Sequence, residues 1–324
     1  MTRLTLAATA ILMLAVLVFA GASAAPYTWQ QEAGKTLSLL KGDTVLWTPN
    51  LGPDHPFFHP VTTVDGLVLT ALEPRDHPWH HGVWFSWKYL NGVNYWDWAG
   101  KKEPIPDGRT RMVGKETVDL REDRAVITMD LEYFTGAADS GDKTVLKERR
   151  NITAFTPKAD GSYRMDWTLV FTASEGEVVF ERTPPKEARW GGYAGFSFRG
   201  AAGIRDIRVI DSEGRNGMAG HGKKARWMDF SGGFKPTGAP AGVAIFDHPQ
   251  NLRHPSPWYV SDKANMPYFG PAPLFAERYV LPAGKSFTLR YRMVVHSGLG
   301  DAAALENEWR AWAAESEKQE KQEK

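Results

Sequence analysis

Three stretches of this chain alternate apolar and polar residues with a period of two. Ile127, Met129, Leu131 and Tyr133 are interleaved with Thr128, Asp130 and Glu132. Tyr163, Met165, Trp167, Leu169 and Phe171 are interleaved with Arg164, Asp166 and Thr168. Phe287, Leu289, Tyr291, Met293 and Val295 are interleaved with Thr288, Arg290, Arg292 and Val294. Successive side chains of a pleated strand point to opposite faces, so each stretch packs one face inward and turns the other to solvent or a groove. Such a pattern predicts antiparallel strands. Shorter strands are expected around 36–40, 44–48, 67–72, 82–87, 112–120, 145–155, 177–183, 194–199, 205–210, 242–247 and 276–281. Gly and Pro clusters at Pro104–Gly108, Asp139–Asp142 and Ser231–Gly233 punctuate them. No fixed repeat argues for a propeller, so the expectation is an all-β chain: one large antiparallel β-sandwich over residues 25–300.

Residues 301–324 form the exception. Leu305, Trp309 and Trp312, at three- and four-residue spacing, give Ala302–Ala314 the apolar stripe of a C-terminal helix, expected on the sandwich edge. The Glu-Lys-Gln run from about Glu315 reads as a frayed, charged tail.

Residues 1–24 read as a signal peptide. Arg3 precedes an apolar run from Leu4 to Ala20, and Ala22-Ser23-Ala24 offers small residues at −3 and −1. Cleavage after Ala24 avoids leaving Pro26 at the +1 position. A retained anchor is the alternative, although about 17 apolar residues is marginal for a span. The expected mature protein has no membrane span and lies in the periplasm or outside the cell. The chain has no cysteine, which excludes thiol nucleophiles, Cys zinc sites and iron–sulfur clusters. Its 39 Lys and Arg balance 38 Asp and Glu, and Arg3 leaves with the signal, so the mature charge is near zero. Nucleic-acid binders usually carry a basic excess.

Five of the nine histidines and five of the 13 tryptophans fall between His55 and Trp98. The centre of that stretch is Arg75-Asp76-His77-Pro78-Trp79-His80-His81-Gly82-Val83-Trp84. Imidazoles exchange protons or bind metals near neutral pH, and indoles offer flat platforms. Pro78 holds His77 extended, so this is a loop or strand entry rather than a helical metal motif. Neighbouring side chains on an extended chain diverge, so at most one of His80 and His81 joins His77. A metal site would need further ligands from His59, Glu73, Asp76 or His248. A second constellation, Asp247-His248-Pro249-Gln250-Asn251-Leu252-Arg253-His254-Pro255-Ser256-Pro257-Trp258-Tyr259, is a proline-stiffened loop rich in groups that bind hydroxyls. Glu277 is placed early in a strand, where partial burial would make it a general base. Trp190-Gly191-Gly192-Tyr193 lets backbone pass close to aromatic rings.

Three segments carry a resemblance: Asp76–Phe85, Gly242–Asn251 and Leu281–Lys285. Together they resemble the exported bacterial proteins labelled PmoA-like, a domain family of unknown function. More loosely, His80-His81-Gly82, then Glu277 and Leu281-Pro282-Ala283-Gly284, are similar in order to the aldose-epimerase (galactose mutarotase) supersandwich. That likeness implies a histidine acting with a C-terminal glutamate. Val83 stands where that family has a second glycine, and His221 is the one candidate for its mid-chain histidine.

The leading expectation is therefore an exported carbohydrate-active enzyme that needs no cofactor. His77, His80, His81 and Glu277 would exchange protons, while Arg75, Asp76, Trp79, Trp84, His248, Asn251, Arg253 and Trp258 would hold a sugar or oligosaccharide. One alternative is a carbohydrate-binding module without turnover. The other is a hydrolase, lyase or oxygenase using a divalent metal on His77, His81 and His248.

Overall fold

The computed structural model describes residues 27–32, 36–52, 55–97, 108–135 and 143–323. The signal segment, Trp98 and most of the turns expected at 104–108 and 139–142 lie outside these residues. Strands β1 (Tyr27–Glu32), β2 (Thr36–Lys41), β3 (Thr44–Asn50), β4 (Phe57–Val61) and β5 (Val83–Ser86) come first. The short β6 (Tyr89–Leu90) and β7 (Val93–Asn94) precede the long β8 (Gly108–Leu120), β9 (Arg124–Thr135), β10 (Lys143–Phe155) and β11 (Tyr163–Ala173). Then follow β12 (Val178–Glu181), β13 (Gly195–Arg199), β14 (Arg205–Asp211), β15 (Trp227–Phe234) and β16 (Ala239–Asp247). The chain ends in β17 (Trp258–Lys263), β18 (Met266–Pro271), β19 (Tyr279–Leu281), β20 (Ser286–Ser297) and the helix α1 (Ala302–Glu323).

Two eight-stranded sheets make an antiparallel sandwich. The first runs β1-β2-β3-β4-β5-β13-β18-β17, the second β14-β15-β16-β20-β11-β10-β9-β8. A small sheet, β19-β12-β6-β7, adds to them. The inward residues of β9 and β11 are the alternating apolar set, and across the interior they meet aromatic rings of the first sheet. Trp167 packs edge-on against Phe58 at 5.3 Å and Phe196 at 4.9 Å, and Phe230 stacks on Phe269 at 5.5 Å. Aromatic pairs of this kind add to the burial of their large apolar surfaces.

Three expectations need correction. On β20, Arg292 and Val294 were expected to face outward to solvent or a groove, but both are buried. The reason is α1, which lies over the outer face of the second sheet rather than along its edge. Leu305, Trp309 and Trp312 pack there with Trp227, Phe246 and Val294. The helix is anchored by Trp227 Nε1 donating to Glu306 at 2.8 Å and Trp309 Nε1 donating to the Asp247 carbonyl at 3.0 Å. Second, α1 continues beyond Glu315, where fraying was expected. Third, 67–72 is no strand: Val68, Thr70 and Leu72 each make a single bridge to a different chain segment. Among the described residues no helix is long and apolar enough to cross a membrane.

Candidate functional site

The strands that carry the site are covered on both faces. On β5, Val83 and Phe85 enter the main core while Trp84 joins a separate aromatic cluster. On β17 and β18, Trp258, Val260 and Phe269 face the core, and Tyr259 and Tyr268 join Trp84. The period of two thus sends every second side chain of the first sheet to a second, smaller aromatic layer. Over that layer lies a cavity of about 250 Å³. Its lining includes His77, His80, Trp79, Trp96, Asp97, Tyr193, Tyr259 and Tyr268, with Trp190, 54% exposed, at its rim. This is slightly below the roughly 300 Å³ at which small-molecule sites begin, a size for a single ring rather than a chain of them.

Tight turns bring the histidines to the cavity. The amide of His77 donates to the Pro74 carbonyl at 2.9 Å, and that of His80 to the His77 carbonyl at 3.0 Å. Gly82 then passes against β4 with φ +68, and a Cβ there would lie 2.4 Å from the Phe58 carbonyl oxygen. Only glycine fits this close approach in a left-handed conformation. His77 and His80 stack at 4.6 Å, whereas His81 turns away to pack edge-on against Phe57 at 4.9 Å.

Arg199, almost wholly buried on β13, organises this wall. Its Nη2 donates to both Asp76 oxygens at 2.9 Å and to the Asn265 carbonyl at 3.2 Å. Its Nη1 lies 3.4 Å from His80 Nδ1. A guanidinium only donates, so Nδ1 of His80 accepts and the neutral ring carries its proton on Nε2. Burial first, then the positive neighbourhood of His77 and Arg199, holds His80 well below the ordinary histidine range. Asp76 in turn accepts from His77 Nδ1 at 2.8 Å, which leaves Nε2 as the basic nitrogen of His77. Burial raises the Asp76 pKa, but the hydrogen bonds and charges of Arg199 and His77 outweigh it and hold the carboxyl low. One wall therefore sets His77, with its Nδ1 held by Asp76, beside His80, a neutral hydrogen-bond donor.

At the other end, Asp97 accepts from Lys88 Nζ at 2.6 Å and from Asn94 Nδ2 at 2.7 Å. Burial pushes Tyr268, Tyr259 and Tyr193 above the usual phenol range, so their hydroxyls remain protonated.

The sequence-expected residues divide between this cavity and the scaffold. His77, His80 and Trp79 line it, Asp76 braces it, and Trp84 forms the layer beneath. Arg75 is exposed and absent from the lining. His81 is displaced, its Nδ1 buried without a partner and its pKa lowered by burial to about 4. Glu277 must be corrected. It sits in the loop before β19 rather than in a strand, its side chain is 71% exposed, and it pairs with Arg253 Nη2 at 3.2 Å. An exposed, paired carboxylate outside the cavity lacks the burial a general base was expected to have.

The second constellation is also corrected, because it is structural. Arg253 donates to the carbonyls of Pro273, Glu277 and Arg278 and so pins the loop before β19. Asn251 donates to Asp247 and to the Arg290 carbonyl, both at 2.7 Å. Trp258 is fully buried in the core, with Nε1 donating to the Ala225 carbonyl. His248 packs edge-on against Trp312 of α1 at 5.0 Å. The proposed metal set of His77, His81 and His248 is therefore split three ways, and among the described residues no group of three or more His, Asp or Glu side chains could hold a metal ion.

Sequence reasoning missed Arg199, Lys88 and Tyr268 as site residues. Tyr193 and Tyr259 stood in noted aromatic segments, and Trp96 and Asp97 in the His55–Trp98 stretch, but nothing local distinguished them from core.

Comparison with known proteins adds the following. No curated protein matches the chain. Among solved structures, galactose 1-epimerase from Lactobacillus acidophilus NCFM is similar at 9% identity and a TM-score of 0.38, covering 83% of this chain and 97% of that one. A likeness so remote bears on neither the site nor its chemistry. A family model described as a family of unknown function, DUF6807, matches residues 36–310. The match spans all three segments that carry the PmoA-like resemblance, but not that label. The chain belongs to the DUF6807 family.

Proposed function

We propose that this chain is an exported carbohydrate-active enzyme that exchanges protons with a sugar bound in the aromatic cavity. One observation carries the reading: His77, oriented by Asp76, stacks on a neutral His80 in the wall of a cavity otherwise built largely of Trp and Tyr rings. Indole and phenol faces suit the C–H faces of a sugar. His77 Nε2 would take a proton from a hydroxyl or from a carbon beside a carbonyl, and His80 Nε2–H would donate to the oxygen on which charge develops. Glu277 has no part in this scheme. Export rests on the N-terminal segment alone.

The experiment screens neutral sugars, their keto derivatives and uronates by tryptophan fluorescence, and follows bound sugars by NMR in D2O. His77→Asn is expected to retain binding while turnover falls at least about a hundredfold, the usual contribution of a positioned acid or base. Undiminished turnover in His77→Asn overturns the mechanism, and failure of every sugar to bind overturns the reading. The aromatic lining equally suits a binding module. Affinity without turnover, undisturbed by His80→Ala, would establish that instead.

A further inference from the structure

One carboxylate in the cavity has no role in the scheme above. Asp97 is 7% exposed and lines the cavity, with one oxygen held by Lys88 and the other by Asn94. Lys88 is 2% exposed and sits over the rings of Tyr89 and Tyr193 at 5.2 and 5.5 Å. It is therefore a buried cation whose hydrogen bond goes to Asp97. Next to Asp97, Trp96 is 5% exposed, lines the same cavity, and its Nε1 is buried with no acceptor among the described residues. Adjacent residues thus supply an anchored acceptor at the cavity and, just behind its lining, a buried donor with no partner among the described residues.

The charges around the cavity cancel in pairs: Lys88 against Asp97 at 2.6 Å, and Arg199 against Asp76 at 2.9 Å. Among the described residues no lysine or arginine lines the cavity. An anionic ligand would meet the Asp97 carboxylate in a poorly solvated space with no lysine or arginine of the described residues lining the cavity to balance it. A neutral ligand with neighbouring hydroxyls meets no such cost. A carboxylate oxygen has lone pairs beyond those used by Lys88 and Asn94, so it could accept from one hydroxyl, and a neighbouring oxygen that reached the buried indole N–H would accept from it.

We infer that Trp96 and Asp97 read adjacent hydroxyls of an uncharged sugar, and that the Lys88–Asp97 pair makes this cavity select against uronates and other anionic sugars. The inference rests on the reading of the cavity as a sugar site and narrows its substrate class. Selectivity here comes from an unpaired charge met by the wrong ligand as much as from contacts to the right one.

The test compares affinities of the wild-type chain for D-glucose, D-galactose and D-mannose with those for the three corresponding uronates at pH 7.5. The best neutral sugar is expected to bind at least about tenfold more tightly than its uronate. In Asp97→Asn the Lys88 ammonium loses its counter-charge, and the ratio is expected to fall at least tenfold, toward or past inversion. Should burying an uncompensated Lys88 unfold that variant, Lys88→Met/Asp97→Asn removes both charges and carries the test, with the ratio expected near one. Trp96→Phe should weaken the neutral sugar severalfold with the ratio unchanged. A wild-type chain that binds a uronate as tightly as its neutral sugar overturns the inference and leaves the sugar site standing. So does a ratio that survives the loss of Asp97. If none of the six binds, this inference falls, and the sugar site falls with it when the wider screen of sugars and keto derivatives also finds no ligand.

Discussion

Arg199→Met tests whether the wall of the cavity is held as described. The side chain is almost completely buried, and its replacement removes two contacts to Asp76 at 2.9 Å and one to the Asn265 carbonyl at 3.2 Å. The 3.4 Å contact to His80 is at the outer limit of a hydrogen bond and adds little. A hydrogen bond to a charged group contributes about 1.5–3 kcal/mol. The Asp76 side chain, however, is 42% exposed, so water replaces part of what it loses. Methionine also removes the desolvation cost of the guanidinium. The expected loss is about 1 kcal/mol at pH 7. Its pH dependence is diagnostic. The Asp76 pKa is depressed in the folded state, so its contribution is present above the unfolded carboxylate value and lost as pH falls through the folded one. Urea unfolding of both proteins should therefore show a gap at pH 7 that shrinks below about pH 4. A gap that stays constant with pH, or no gap at pH 7, would refute the clamp.

Three further outcomes follow from the same geometry. In an NMR titration the His81 ring should titrate near 4 and the His80 ring should stay neutral from pH 8 to pH 5; a histidine pair titrating near 6.5 at these positions would contradict their burial. His296 Nε2 pairs with the buried Asp229 at 2.8 Å, and although burial lowers its pKa, the Asp229 bond and charge raise it further, above the ordinary value. That pair stabilises fully below the unfolded pKa of about 6.5 and is lost as pH rises through the folded value, so His296→Gln should cost about 1–2 kcal/mol at pH 5.5 and clearly less at pH 9, measured by urea unfolding. Trp312→Ala, at a residue 5% exposed between α1 and the second sheet, should cost about 3 kcal/mol and leave sugar affinity unchanged; altered affinity would couple the helix to the cavity.

How much of this the sequence discloses depends on how many faces each strand has covered. β11 is buried at every odd position and half-buried between, so its period of two predicts it fully. β15 is buried at all eight positions and carries no period, which is why Trp227–Phe234 was not read as a strand and its Ser231–Gly233, expected to be a break between strands, proves to lie inside one. β20 lies between: its inward set was legible, and its outward set was misjudged because helix α1, which follows it in the chain, folds back to cover it. The site behaves likewise. The His77–His81 segment announces itself by density of unusual residues in one stretch. Arg199 is one arginine in a phenylalanine-rich strand, and its importance comes from antiparallel pairing that sets β13 beside β5, a long-range fact. The Asp247–Tyr259 loop was misassigned for a related reason. Its polar groups are those that bind sugars, but in the fold they are consumed by backbone carbonyls and by α1.

The aromatic layer under the cavity has a consequence for how a ligand is held. Trp84 lies 5.1 Å from His80, 5.5 Å from Trp96 and 6.1 Å from Tyr268, so one buried indole touches both the histidine wall and the Trp96–Asp97 end. Side chains fixed by close packing lose little further freedom when a ligand arrives, and that loss is a main cost of binding. Trp190 is the exception at 54% exposure, with Tyr193 at 6.2 Å as its ring neighbour. The floor is thus set before the ligand enters, and the rim is where adjustment occurs. A rigid floor also ties the two ends together: His77, His80 and Asp97, which the proposal makes base, donor and hydroxyl reader, keep fixed spacing through Trp84. Under the proposed function, selection at one end and proton transfer at the other would act on a single ring, so a ligand misread at Asp97 would also be misplaced at His77.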